Sequence, residues 1–228
     1  MIFNNKTVFF IFSFLVVFTL STEIYAQNES PLPNDTRWVR ESKEYKSICE
    51  QTYKAAWHSL KKRRKGNMTP VIVMDLDETV LDNSLYQVQL HKKSERYNPK
   101  TWNNFVKLEI SGLVPGAKEF ILNFKKQMNG VIIFISDRDA STLKATKNNL
   151  DKVGVLFDDD IFLLKKNKED IKEVRRREVF EGTGRMKKHG SKHIMAYFGD
   201  QMGDFPKDNR YTFSIDKFIF PNPMYGRW

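Results

Sequence analysis

Four short, nearly unbroken apolar runs punctuate the chain: VIVMD at 71–75, VIIFIS at 131–136, IFLL at 161–164 and IMAYF at 194–198. Runs of this length suit strands buried on both faces of a parallel sheet. Between them the apolar positions recur at helical spacing. Ala117, Phe120, Ile121 and Phe124 predict a helix over 116–128 with Gly130 behind it, and Leu143, Leu150 and Val153 predict another over 141–153 that stops at Gly154. Upstream, Trp38, Tyr45, Ile48, Cys49, Ala56, Trp57 and Leu60 predict one long amphipathic helix over 35–65, started by Asn34 and Asp35 and stopped by Gly66. Strands alternating with helices predict an α/β fold with a doubly wound, mainly parallel sheet. The stretch 83–113 is too long for a simple loop and is expected to form a small helical cap insertion over the sheet edge.

The N-terminus follows a different pattern. Residues 8–20, VFFIFSFLVVFTL, hold eleven apolar side chains in thirteen, with Lys6 before them and a polar stretch to Ala26 after them. That layout predicts a secretory signal peptide over 1–26, cut before Gln27, and a single domain over 27–228. The apolar run is short for a bilayer span, and no cysteine near the cut could carry a lipid, so no membrane anchor is expected after cleavage. Cys49, the one cysteine, excludes an intramolecular disulfide and reads as a small buried hydrophobe. The net charge of +10 suits anionic partners. Its basic runs, KKRRK at 61–65, KKNK at 165–168 and RRR at 175–177, lack interleaved aromatics, so they read as solvated faces and no stable nucleic-acid complex is expected.

In an open parallel sheet the reacting groups gather at the carboxyl ends of the strands. Here those ends are acidic. The first apolar run leads into Asp75, Asp77 and Glu78, the second into Ser136, Asp137 and Arg138, and the fourth into Asp200 and Asp204. Asp75 and Asp77, two residues apart on an extended chain, project to the same side. Two such carboxylates and a third from Asp200 resist joint ionisation unless a cation lies among them, and hard oxygen donors of this kind suit Mg²⁺. The cluster points to metal-assisted phosphoryl transfer, with one carboxylate as nucleophile and its neighbour as acid and base. Ser136 and a lysine would hold the phosphoryl oxygens.

The segments DLDETVLDNS at 75–84, FISDR at 134–138, KEVR at 172–175 and FGDQMGDF at 198–205 resemble the four ordered motifs of the haloacid dehalogenase (HAD) superfamily. With YNPKTW at 97–102, VPGA at 114–117 and PNPMYGRW at 221–228, the chain resembles its class C non-specific acid phosphatases, the lipoprotein 5′-nucleotidase family. The resemblance implies a HAD-like core and a phosphatase acting on small phosphomonoesters, nucleotides among them. It implies Asp75 as nucleophile and Asp77 as general acid and base. Asp75, the Asp77 carbonyl and Asp200 would bind Mg²⁺ with Asp204 orienting its waters. Ser136 and Lys172 would contact phosphate, Trp102 and Tyr225 would flank a substrate ring, and Arg138 joins the substrate-binding candidates. The chain departs from the family in having Asp137 where Asn is usual, in a longer spacing between Lys172 and Asp200, and in lacking the acylated cysteine of many relatives.

Other classes stay open at this stage. A binding or storage protein on the same scaffold, a basic polyanion binder and a phosphotransferase to alcohols are each compatible with parts of the pattern. His189 and His193 read as a solvated pair, and Asp158, Asp159 and Asp160 as a turn.

Overall fold

The computed structural model describes residues 31–63 and 68–226. The signal-peptide expectation for 1–26 lies outside the described residues. From Asn34 onward the elements are helices α1 (Asn34–Glu41) and α2 (Lys43–Arg63), strands β1 (Val71–Met74) and β2 (Leu81–Asp82), helices α3 (Ser84–Lys92) and α4 (Pro99–Lys107), strand β3 (Gly112–Leu113), helix α5 (Ala117–Met128), strand β4 (Val131–Asp139), helix α6 (Leu143–Lys152), strand β5 (Ile161–Lys165), helix α7 (Lys172–Glu181), and strands β6 (Ile194–Gly199) and β7 (Lys217–Ile219). A wholly parallel sheet orders its strands β5-β4-β1-β6-β7. The mainly parallel α/β sheet expected from the four apolar runs is therefore present. Its edge strand β7 is three residues long, too short to leave a periodic signature.

The strands are apolar on both sides because both sides are covered. Ile72, Met74, Ile132, Phe134, Ala196 and Phe198 pack into a core shared with Tyr53, Ala56 and Leu60 of α2 and Phe120, Ile121 and Phe124 of α5. Their neighbours Val71, Val73, Ile133, Ile135, Leu163 and Ile194 face the opposite way, onto Val179 of α7, Met186 and Phe205. At the α2–α5 crossing, Gly116 has φ +87° and a Cβ there would lie 3.2 Å from Glu50 Cα and from the Tyr53 ring, so only glycine lets the chain turn and pass so close. Cys49 is fully buried and unpaired, as expected of a structural thiol, and burial pushes its pKa up to about 12.

Three expectations are corrected. The single helix over 35–65 is two helices, because Ser42 ends the first and caps the second: its N–H donates to Trp38 O (3.1 Å) and its Oγ accepts from Tyr45 N (3.0 Å). Ile48 in the second helix faces outward, 42% exposed. The insertion carries two helices. Its helices α3 and α4 gather Tyr86, Leu90 and Phe105 into a small core of their own, and β2 pairs antiparallel with β3 at its root. Finally, RRR at 175–177 is not a solvated face throughout, since Arg175 is wholly buried.

Arg175 organises a buried ionic network. Its guanidinium donates to Ser136 O (2.5 Å) and Leu163 O (3.2 Å), pairs with Asp137, and lies 3.5 Å from Asp170. Asp170 also receives both terminal nitrogens of Arg185 at 2.8 and 2.9 Å. Burial opposes the Asp170 charge, but Arg185 and Arg175 outweigh it and hold the carboxyl below its usual range. Removing one member strands the buried remainder. Asp170→Asn is expected to cost about 3–5 kcal/mol, read as a Tm fall of about 10 °C at pH 7. Because the folded pKa is depressed, this stabilisation is present above the ordinary carboxylate pKa and is lost as pH falls through the lowered value. The gap between variant and wild type should therefore shrink below about pH 4, and a gap that holds constant to acid would refute the ionic origin.

Candidate active site

The site is built where β1, β4 and β6 end. Asp75 follows β1 with its N–H bonded to Phe198 O on β6 (2.9 Å), which carries the adjacent strand end bearing Asp200 alongside it. Asp204 comes back over the same point on a short 3₁₀ turn, Met202–Asp204. Gly199 makes that return possible, since a Cβ there would lie 2.3 Å from the Asp204 side chain. One oxygen from each of Asp75, Asp200 and Asp204 falls within 4.8 Å of the others. Lys172, the first residue of α7, reaches into the group with Nζ 2.7 Å from Asp75 Oδ1 and in contact with Asp204 Oδ1.

Crowding three carboxylates out of water has a measurable electrostatic consequence. Burial, joined by Asp204, Asp200 and Asp77 and opposed by Lys172, pushes the Asp75 carboxyl well above its ordinary range. Asp200, buried beside Asp204, is pushed up to about 7. Burial disfavours the Lys172 ammonium, yet Asp75, Asp204 and Asp137 outweigh it and hold the charge firmly. The pocket as a whole lacks positive charge, which is what an oxygen-ligated divalent cation supplies. The donor set therefore fits Mg²⁺ in kind: hard oxygens, close together, on rigid strand ends.

Asp77 sits across from this cluster and is clamped. Its Oδ1 accepts from Arg138 Nε (2.8 Å) and Asn83 Nδ2 (3.0 Å), and its Oδ2 lies 3.3 Å from Ser136 Oγ. Arg138 is 1% exposed, and its remaining nitrogens go to Asn83 Oδ1 and Thr146 Oγ1, both at 3.2 Å, with the guanidinium 5.7 Å from the centre of the Trp102 ring. Arg138 is thus buried against Asp77, with its guanidinium spent on Asp77, Asn83 and Thr146. Trp102 stacks on Phe105 and meets Tyr86 edge-on, so its ring belongs to the core of the insertion. Tyr225 is half-buried on the C-terminal loop. Asp137, the departure from the family, is paired with Arg175, and the combined pull of Lys172 and Arg175 against burial keeps its carboxyl low.

Sequence reasoning missed three residues. Asn83, 1% exposed, uses every polar atom: besides Asp77 it donates to Leu81 O, it accepts from Ser111 Oγ (2.7 Å) and Arg138, and its N–H goes to Glu78 Oε1 (2.9 Å). Glu78 adopts φ +54° at the turn and is buried with Oε2 unpartnered; burial, with Asp77 and Asp200 nearby, pushes its carboxyl far up toward the neutral form. Asn222 donates to Asp200 Oδ2 at 2.8 Å. All three lie in or beside quoted segments, but a lone Asn or Glu carries no periodic or charge signal of its role. His189 and His193 follow a turn rather than a helix, so their spacing does not bring them to one face. Asp158 and Asp159 form the expected turn, while Asp160 is buried against Lys125 (2.6 Å). A groove of about 430 Å³ between α2 and α5, lined by Tyr53, Trp57 and Phe120, contains none of Asp75, Asp77, Asp200 and Asp204.

This geometry agrees with what the chain resembles. Residues 21–228 match the family described as HAD superfamily, subfamily IIIB (Acid phosphatase). The solved structure of a class C acid phosphatase from Bacillus anthracis with tungstate bound is 28% identical, with a TM-score of 0.70 over 84% of each chain. A further structure of the class C acid phosphatase from Bacillus anthracis is 27% identical, with a TM-score of 0.69 over 84% of each chain. With a family match running through both carboxylate-bearing segments and on to the last residue, the chain belongs to the acid phosphatases of HAD subfamily IIIB, hydrolases of phosphomonoesters.

Proposed function

We propose that the protein is a secreted or periplasmic, Mg²⁺-dependent acid phosphatase that acts through a phosphoaspartate on Asp75 and takes nucleoside 5′-monophosphates among its substrates. The observation that carries the reading is the convergence of Asp75, Asp200 and Asp204 around one point with Lys172 beside them. Asp75, Asp200 and Asp204, with the Asp77 carbonyl, are the residues that would hold Mg²⁺. When bound, the ion neutralises the carboxylates and polarises the phosphoryl oxygens. The export reading rests on the apolar run at 8–20; an N-terminus at Gln27 in the purified protein supports it and a retained Met1 refutes it.

The residues divide the chemistry among them. The Asp75 carboxylate attacks phosphorus and the P–O bond to the leaving group breaks, while Lys172 and Ser136 hold the phosphoryl oxygens. Asp77 gives its proton to the departing alkoxide. Two N–H donors occupy Oδ1, so a proton there would oppose both, and Oδ2 is the oxygen that carries it. In the second half Asp77 takes a proton from water, the water oxygen attacks phosphorus, and the aspartyl P–O bond breaks to release phosphate and restore Asp75. The tungstate on the Bacillus anthracis relative, a tetrahedral oxyanion like phosphate, supports a pocket of this shape.

Asp75→Asn keeps the shape and removes the attacking charge, so turnover should fall by several orders of magnitude, and EDTA should abolish activity that Mg²⁺ restores. A variant keeping a tenth of wild-type turnover would sink the covalent route, and full activity after exhaustive chelation the metal. Arg138→Met should lower kcat by about a hundredfold with little change in KM, with larger losses for alkyl than for p-nitrophenyl phosphates, because only the poor leaving group needs a well-aimed proton. Equal losses on both esters would remove Arg138 from the acid machinery. For specificity, Tyr225→Ala should lower the advantage of nucleotides over glycerol phosphate by about 1–3 kcal/mol. Trp102→Ala should instead lower Tm by loosening the insertion, and a pure nucleotide defect there would reverse the two assignments.

A further inference from the structure

The carboxamide of Asn222 faces two ways. Its Nδ2 donates to Asp200 Oδ2 at 2.8 Å, and its Oδ1 accepts from the backbone N–H of Met224 (3.1 Å) and Tyr225 (3.4 Å). The chain reaches this point directly from β7, whose neighbour Phe220 is tied to the same strand end by its N–H to Gly199 O (2.9 Å). One side chain therefore joins the Asp200 carboxylate to the backbone carrying Tyr225. Among the described residues, the other side chain on Asp200 Oδ2 is Gln201, whose Nε2 stands 3.5 Å away, so Asn222 makes the shorter side-chain bond to it.

We infer that Asn222 is a positioning residue that aims Asp200 at the metal and, through the same amide, hangs the Tyr225 loop on that carboxylate. Charged ligands in a crowded site are oriented by their outer hydrogen bonds, and losing such a partner costs metal affinity even when the ligand itself remains. The two halves of the amide make separable contributions: the donor serves Asp200, and the acceptor serves the loop. A serine can replace the acceptor, since its hydroxyl also accepts from amides two or three residues on, as Ser42 does from Tyr45, but it is too short to reach Asp200. The inference rests on the reading of Asp200 as a metal ligand.

The test titrates full-length mature protein with Mn²⁺, a paramagnetic stand-in for Mg²⁺, followed by electron paramagnetic resonance without substrate, together with Tm in EDTA. Asp200→Asn serves as control. Wild type should bind one ion and Asp200→Asn should lose it. Asn222→Ala and Asn222→Ser should both weaken Mn²⁺ by about tenfold or more, while Asn222→Ser keeps its wild-type Tm in EDTA and so reports on the donor alone. Wild-type affinity in Asn222→Ser beside a metal-blind Asp200→Asn would overturn the positioning role and leave the metal reading intact. Undiminished binding in Asp200→Asn would overturn the metal reading and this inference with it.

Discussion

The active site depends on keeping like charge together. Asp75, Asp200 and Asp204 are held close and largely out of water by strand ends that cannot move apart without breaking the sheet. Left alone such a group drives protons on or water in. Lys172 answers part of the charge, and it can do so only because α7 is fastened beneath it by Arg175, which in turn grips the carbonyl of Ser136 and the side chain of Asp137. The ionic network under α7 and the carboxylate pocket above it are therefore one electrostatic construction. Its lower half is neutralised within the protein, and its upper half retains an excess of negative charge that suits a cation and an incoming phosphate together.

The second organising feature is the division of hydrogen-bonding work around Asp77. Most of the donors that meet it are themselves pinned: Arg138 by Thr146 and Asn83, and Asn83 by Ser111 and Glu78. A carboxylate surrounded this way has one rotamer and one free face. Asp75, by contrast, meets an ammonium that it shares with Asp204. The proposed acid is thus fixed by a shell of amide and guanidinium donors, while the proposed nucleophile is balanced by a single shared cation.

Much of this was legible before any coordinates. Both-face burial wrote itself as continuous apolar runs, so β1, β4, β5 and β6 could be read directly, and the acidic residues behind them marked the strand ends. What escaped was written at other scales. Ser42 splits a helix through one hydroxyl, with no break in the apolar spacing around it. Arg175 looks like its exposed neighbour Arg177, and only the elements packed on α7 distinguish a buried ion pair from a solvated one. Trp102 has the same identity in a ligand site and in a core, and its stacking on Phe105, which no spacing announces, shows only that it packs within the insertion. Asn83 and Asn222 are legible only as members of segments that match a family, because their importance lies in both ends of a single amide.

The insertion has a consequence for how the enzyme fails. Its own core is three buried side chains, Tyr86, Leu90 and Phe105, so it is the least insulated part of the fold. It is fastened to the body by Asn149 on the Ser111 backbone, by Asn148 and Lys152 on Glu109, and by Trp102 on Arg138, and within it Ser111 holds Asn83, so both side chains that aim Asp77 lean on it. When heat or acid frays the cap, the supports of the proposed acid go with it. Local melting would then silence the enzyme before the sheet is touched, so the acid is aimed only while the cap is folded.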